Sequence, residues 1–279
     1  MIQKILFPID FSPSCAGMAS YVKRAAEIFH AEVSILHVCD LESHNGFELY
    51  SRAPDEIAAD HWKVAQIKLN SFVQNDFPPS SCPRILLAGH AASKISETAG
   101  QGKFDLIMMP THASRFRRML LGSTAAKVLD QADCPVLTSQ HSVTTAPHSL
   151  EHRKWICAIS LSADSERVLR YAHDAALAAG AKLSVIHAID QEMESPIHDA
   201  FLKEREAWRR VGELQKAVGS DASVYIKFGQ VKEALLDTAW QSCADVLVIG
   251  RASDTGSSGR MEHFTYSLIR DAPCPVVSV

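Results

Sequence analysis

The chain has 279 residues, 47% of them hydrophobic and 22% charged, which is length for about two domains and enough apolar surface to offset the entropy of ordering them. A single small core and extended disorder are both excluded. Lysine plus arginine (28) against aspartate plus glutamate (32) gives a net charge of −4, so no overall basic field exists to hold a nucleic-acid backbone.

The opening, MIQKILFPIDFSPS, has a short apolar run broken by Pro8 and Asp10 and lacks the features of a secretory signal. No stretch reaches the roughly 18 apolar residues that span a bilayer. A cytoplasmic location, with neither membrane nor nucleic acid as partner, is the expectation. Lys4 to Ile9 reads as a strand. Ser12 is placed to cap a helix that has Pro13 at its first position and Met18, Val22, Ala25 and Phe29 on its inner face. Further strands are expected at Val33 to Val38, Arg84 to Ala88, Leu106 to Met109 and Pro135 to Thr138. A helix over Asp55 to Val73 would carry Ile57, Trp62, Ala65, Leu69 and Phe72 as a core stripe, and Ala125 to Gln131 reads as another helix. Short apolar runs alternating with helices predict an α/β fold, a five-stranded, mostly parallel sheet with helices on both faces.

The sequence then nearly repeats itself. A shift of 150 lays HAEVSILHVCD (His30 to Asp40) on GAKLSVIHAID (Gly180 to Asp190), and a shift of 140 lays Gly89 on Gly229, Asp105 on Asp245 and Cys134-Pro135-Val136 on Cys274-Pro275-Val276. Two tandem domains follow, 1–140 and 153–279, with a polar linker at 141–152 that contains Pro147. In the second copy Ser162 takes the capping place, with Leu169, Ala172, Ala176 and Ala179 inside. A long helix, Glu194 to Ala217, carries Ile197, Phe201, Trp208, Val211 and Leu214 as its core stripe. Pairing of the final strands, PVLTS and PVVSV, would satisfy two open edges and make an intramolecular pseudo-dimer. Association of two chains into a homodimer is left open.

In parallel sheets of this kind, ligands sit beyond the carboxyl ends of the strands. That rule nominates Pro8, Ile9, Asp10 and Phe11 after the first strand, Val38 after the second, and Met109 and Pro110 after the fourth. Gly122, Ser123 and Thr124 open the next helix, where free amides and the positive dipole end hold phosphate oxygens. Asp10 would accept from a ribose. Arg115, Arg117 and Arg118 add local positive charge, and His112 stands beside them.

With ILFPIDFSPS, LHV, the loop MPTHASRFRRMLLGS before AAKVL, and DCPVL on the page, the chain resembles the universal stress protein family in its tandem form. The resemblance implies ATP as ligand, with accompanying Mg²⁺ left open. Nucleotide-binding members have a loop of the form G-x2-G-x9-G-[ST]; here Pro110 and Ala113 stand in the first two glycine places, eight residues separate Ala113 from Gly122, and Gly122-Ser123 and Asp10 are intact. In the second copy Ser160, Glu262 and His263 replace Asp10, Gly122 and Ser123, and a carboxylate at the helix start repels phosphate. That site reads as degenerate. Gly250, Gly256 and Gly259, with Ser253, Ser257, Ser258, Arg251 and Arg260, read as a mobile turn.

Neither GxxxxGK[ST] nor GxGxxG is present, no GxSxG or HExxH motif occurs, and no catalytic triad can be assembled. His148 and His152 lack further metal ligands, and His37 and His187 read as core histidines. The seven cysteines form no CxxC pair, and Cys134 and Cys274 read as structural. The expectation is a stress-response module that binds an adenine nucleotide in its first domain and is not an enzyme. The alternative is a nucleotide-independent interaction or regulatory protein of the same fold.

Overall fold

The computed structural model describes residues 2–39, 54–111, 121–139, 151–190, 197–251 and 258–279, with side chains at 54–58, 197 and 258–263 left aside. In chain order the elements are β1 (Lys4–Ile9), α1 (Pro13–Phe29), β2 (Glu32–Cys39), α2 (Pro54–Ser71), β3 (Arg84–Ala88), α3 (Ala91–Gln101), β4 (Leu106–Pro110), α4 (Ser123–Gln131) and β5 (Val136–Ser139). The second series runs β6 (Lys154–Ala158), α5 (Ser165–Ala178), β7 (Lys182–Ile189), α6 (Ile197–Val218), β8 (Ser223–Phe228), α7 (Val231–Gln241), β9 (Val246–Ile249), α8 (Ser258–Asp271) and β10 (Val276–Ser278). Two compact units divide the chain between Val136 and Leu137.

In the first unit the strand order is β3-β2-β1-β4, with parallel neighbours. In the second, β10-β9-β6-β7-β8 is parallel throughout. Successive strand residues point to opposite faces, so the unbroken burial of Ile5 to Ile9 and of Leu106 to Met109 means that both faces of these strands are covered. The same holds for Trp155 to Ala158 and Val246 to Ile249. The edge strand β8 behaves differently: Tyr225 and Phe228 are exposed.

The first helix starts as its sequence dictates. Ser12 has extended backbone, its hydroxyl accepts from the Cys15 amide at 3.2 Å, and Pro13 follows at the first helical position. Met18, Val22, Ala25 and Phe29 are all buried. The second copy does not reuse this device. The Ser162 hydroxyl meets that of Ser160 at 2.9 Å, the N-cap is Asp164 without a side-chain cap bond, and α5 begins at Ser165. Ala163 stands where the first copy has Pro13 and lacks a ring to preset helical φ. Leu169, Ala172 and Ala176 are buried, whereas Ala179 lies beyond the helix end and is half-buried.

Two expected core stripes are narrower than their periodicity suggests. On α2, Ala65 and Leu69 are buried, Phe72 lies past the helix, and Trp62 is exposed; the Ile57 side chain is outside the described residues. On α6, Val211 is buried and Leu214 half-buried, but Phe201 and Trp208 are exposed, and the Ile197 side chain is outside the described residues.

The duplication is visible at the level of single bonds. Oδ2 of Asp105 accepts from the amides of Gln3 and Lys4 at 2.8 and 2.9 Å, and Oδ2 of Asp245 accepts from Arg153 and Lys154 at the same distances. The Lys4 and Lys154 ammonium groups donate to the carbonyls of Gly102 and Ser242. Phe11 and Leu161, each just after the first strand of its copy, both take left-handed backbone with φ of 61° and 60°.

Candidate functional site

The carboxyl ends of β1, β2 and β4 and the start of α4 enclose a cavity of about 620 Å³ in the first unit. Pro8, Ile9, Asp10, Val38, Met109, Pro110, Gly122, Ser123 and Thr124 all line it. Ala113, His112, Arg115, Arg117 and Arg118 lie outside the described residues. Thr111 and Leu121, the two ends of the loop that follows the fourth strand in the sequence reading, also line it, and Cys15, Leu36, His37, Ala91, Ile95 and Ala125, which sequence reasoning did not single out as ligand contacts, complete the wall. His37, read from sequence as a core residue, is half-buried and lines the cavity.

Asp10 is held in place from one side. Its Oδ1 accepts from the Ser12 amide at 2.9 Å and from the Cys15 thiol at 3.1 Å, while Oδ2 has no donor among the described residues. Burial, followed by the Asp10 charge, pushes the Cys15 thiol up to about 12, so this sulfur stays protonated at neutral pH. His37 faces the Ile9 carbonyl through Nδ1 at 2.9 Å. A carbonyl only accepts, so Nδ1 carries the proton and, in the neutral ring, Nε2 is an acceptor. The Phe11 ring packs on the same imidazole with centroids 4.2 Å apart.

Opposite these groups, Gly122 is the N-cap of α4, with its own amide donating to the Thr111 carbonyl at 2.7 Å. The amides of Ser123, Thr124 and Ala125 have no acceptor among the described residues, as the first turn of a helix requires. No side chain among the described residues caps them. The φ of Gly122 is −64°, open to any residue, so backbone strain gives no reason for glycine there. What glycine supplies is room for close approach to those amides.

In the second unit Ser160 occupies the place of Asp10. Glu262 and His263 fall in α8, but their side chains lie outside the described residues, as do those of Ser258 and Arg260, and Ser253, Gly256 and Ser257 are not described at all. One feature differs from the expected loop: α8 already begins at Ser258, so Gly259 belongs to its first turn. Linker residues 141–150 are also outside the described set, whereas His152 is buried near Trp155. Among the described residues no group of three or more His, Cys, Asp or Glu is arranged to hold a metal ion, and no helix is long and apolar enough to cross a membrane.

The family model for the universal stress protein family matches residues 1–139 and again 151–279. A curated relative, universal stress protein MJ0531 of Methanocaldococcus jannaschii, is 31% identical over 144 residues, which cover 49% of this chain and 81% of the relative. Among solved structures, a universal stress protein from Archaeoglobus fulgidus covers 99% of this chain and 97% of its own at a TM-score of 0.70 and 22% identity. The functionally unknown protein PA1789 from Pseudomonas aeruginosa covers 100% and 92% at a TM-score of 0.64 and 18% identity. At those identities the structural likeness speaks for the fold, while the two family matches account for nearly every residue. The chain therefore belongs to the universal stress protein family, in tandem form.

Proposed function

We propose that the first cavity binds an adenine nucleotide, ATP foremost, and that the protein serves as a cytoplasmic stress-response module and not as an enzyme. Within this reading 1–140 is the ligand-binding domain, 141–152 a linker and 153–279 a domain with a different or lost ligand. The observation that carries the reading is the set of uncapped amides at Ser123, Thr124 and Ala125, which open onto the same cavity as Asp10. Phosphate oxygens would accept from these amides and from the Ser123 and Thr124 hydroxyls, with the α4 dipole adding roughly 0.3–1 kcal/mol. Oδ2 of Asp10 would accept from a ribose hydroxyl, and Val38 and Met109 offer apolar surface to the base. No described carboxylate cluster supports a resident Mg²⁺, so any such ion would arrive with the phosphates.

The test is titration of ATP and ADP, with and without Mg²⁺, into the wild-type protein, Asp10→Ala and Gly122→Glu. Saturable binding that both variants lose supports the reading. Absence of saturation at millimolar nucleotide refutes it. The alternative, a nucleotide-independent interaction protein, then gains, and the exposed Trp62, Phe201 and Trp208 favour that second reading.

A further inference from the structure

We infer that the open edge of the second unit, strand β8 with the outer flank of α6, docks a second molecule of this chain, the two β8 strands pairing antiparallel about a dyad at Ile226. The strand ends its sheet, with β7 on one side and no strand on the other among the described residues. The Gly229 amide donates to the Ile189 carbonyl of β7 at 3.1 Å. Backbone polar groups alternate along a strand, so Ser223, Tyr225 and Lys227 face β7. Val224, Ile226 and Phe228 turn their N–H and C=O groups outward, where they meet no partner among the described residues. The edge strand of the first unit is not open in this way. Every residue of β3 is half-buried, and Arg84 at its start donates to the Phe77 carbonyl in the segment that follows α2, whereas four of the six β8 residues are exposed.

The sequence of β8 matches its own reverse. About a dyad normal to the sheet, opposed residues share a face. Centring on Ile226 opposes that residue to itself and Val224 to Phe228, which joins every outward residue in a bonded pair and gathers the apolar side chains on one face. On the other face Lys227 meets the Tyr225 ring of the second molecule, a favourable cation-π neighbour. Moving the centre to Lys227 sets two ammonium groups against each other. Moving it to Tyr225 opposes Phe228 to Ala222, whose amide and carbonyl are already engaged by Ser220 and Gln215.

The flank of α6 carries the same conclusion from a different side. This helix packs on β7 and β8 and beside α5. Ala207 and Val211 face inward, and Arg210 reaches towards α5, donating to the Leu161 carbonyl just before it. At about 100° per residue, Phe201 and Trp208 lie on the flank opposite Arg210, the one that borders the open edge. They are 59% and 47% exposed. A helix seated over the last two strands stands about one strand spacing from the dyad, so α6 and its symmetry mate come within ~10 Å, the separation of packed helices. Register and flank are both self-matching, which selects an identical chain over an unrelated strand.

This surface is independent of nucleotide binding in the first unit. Sedimentation velocity of the full chain over roughly 1–300 µM is the test, with half-association expected at about 10–100 µM. Ile226→Pro removes the central outward N–H and spares the bonds to β7, and Trp208→Glu charges the flank at an exposed position. Each should raise the association midpoint about tenfold or more. Thermal unfolding identifies which variants are folded, and if Ile226→Pro is not, Trp208→Glu decides. Tyr225→Lys should weaken association several-fold by facing Lys227 of the second molecule, and Tyr225→Glu should not. A chain that stays monomeric throughout the range overturns the inference, even if β8 accepts a strand from a different protein. So does a dimer indifferent to Trp208→Glu or to folded Ile226→Pro, or one that the two Tyr225 substitutions affect equally.

Discussion

The Cys15 thiol donates to Oδ1 of Asp10 at 3.1 Å, in a position that is only 2% exposed. The pair joins the first turn of α1 to the end of β1 and fixes one oxygen of a carboxylate that lines the cavity. Burial, with the Asp10 charge added, keeps Cys15 chemically quiet. With iodoacetamide at pH 8 the exposed Cys243 should be alkylated first, and Cys15, Cys157 and Cys274 should remain unmodified until the protein unfolds, as read by mass spectrometry of the peptides.

The same buried thiols predict a loss of stability in alkali. Burial, then nearby aspartate charge, raises Cys15 and Cys274 to about 12 from an ordinary value near 9, and burial alone raises Cys157 further. The unfolded chain releases these protons above pH 9 while the folded chain holds them. Their stabilisation is therefore complete below pH 9 and is lost as pH rises towards 12. At pH 10 the cost should be roughly 1 kcal/mol per thiol, seen as a lower urea midpoint than at pH 8. Cys157→Ala should flatten part of that decline.

Asp105 and Asp245 each anchor two consecutive backbone amides at the start of a strand through one oxygen. Asp245→Ala should cost about 2–3 kcal/mol and Asp105→Ala slightly less, because Asp245 is the more buried. The asparagine variants keep an acceptor oxygen and should lose about half as much. Urea denaturation is the measurement, and a mutation in one copy should shift the transition of that copy.

Gly89 and Gly229 have φ of 129° and 123°, where side-chain-bearing residues are strained. An added Cβ would meet only ordinary contacts at Gly89 and open space at Gly229, so the strain lies in the backbone alone. Gly229→Ala should destabilise by about 1–3 kcal/mol. Gly180 differs: its φ is 62°, and its counterpart in the first copy is His30, at 53°. Gly180→Asn should therefore cost under about 1 kcal/mol, measured by thermal unfolding.

Three of the four tryptophans, Trp62, Trp208 and Trp240, are 39%, 47% and 74% exposed, against 2% for Trp155. Acrylamide should quench most of the emission and leave a blue-shifted remainder, which Trp155→Phe should remove.

Strands β1 and β3 were legible in the sequence to the residue, because short apolar runs between turn formers leave little choice of boundary. The cap at Ser12 was legible because Pro13 supports it. The parallel inference at Ser162 failed where Ala163 withholds that support and Ser160 claims the hydroxyl. The exposed aromatics were not legible. Helical periodicity tells which residues share a side, not how far the sheet extends beneath them. The 22 residues of α6 reach about 33 Å, whereas the 6 residues of β8 reach about 20 Å, so part of the helix has no strand under it. Of the first cavity, the strand ends and the start of α4 followed from topology. Cys15 and His37 did not, since a thiol and an imidazole among apolar residues look like core; the turn at Phe11 leads the chain to Cys15 at the opening, and His37 reaches it from near the carboxyl end of β2.

The aspartate anchors hold the amino ends of β1 and β6, whereas both cavities open at the carboxyl ends of those strands. The bonds that set the scaffold and the openings of the cavities thus lie at opposite ends of the first strand of each copy. That separation lets the linings of the two cavities differ, Asp10 against Ser160 and Cys15 against Ser165, while the frame that carries them is kept.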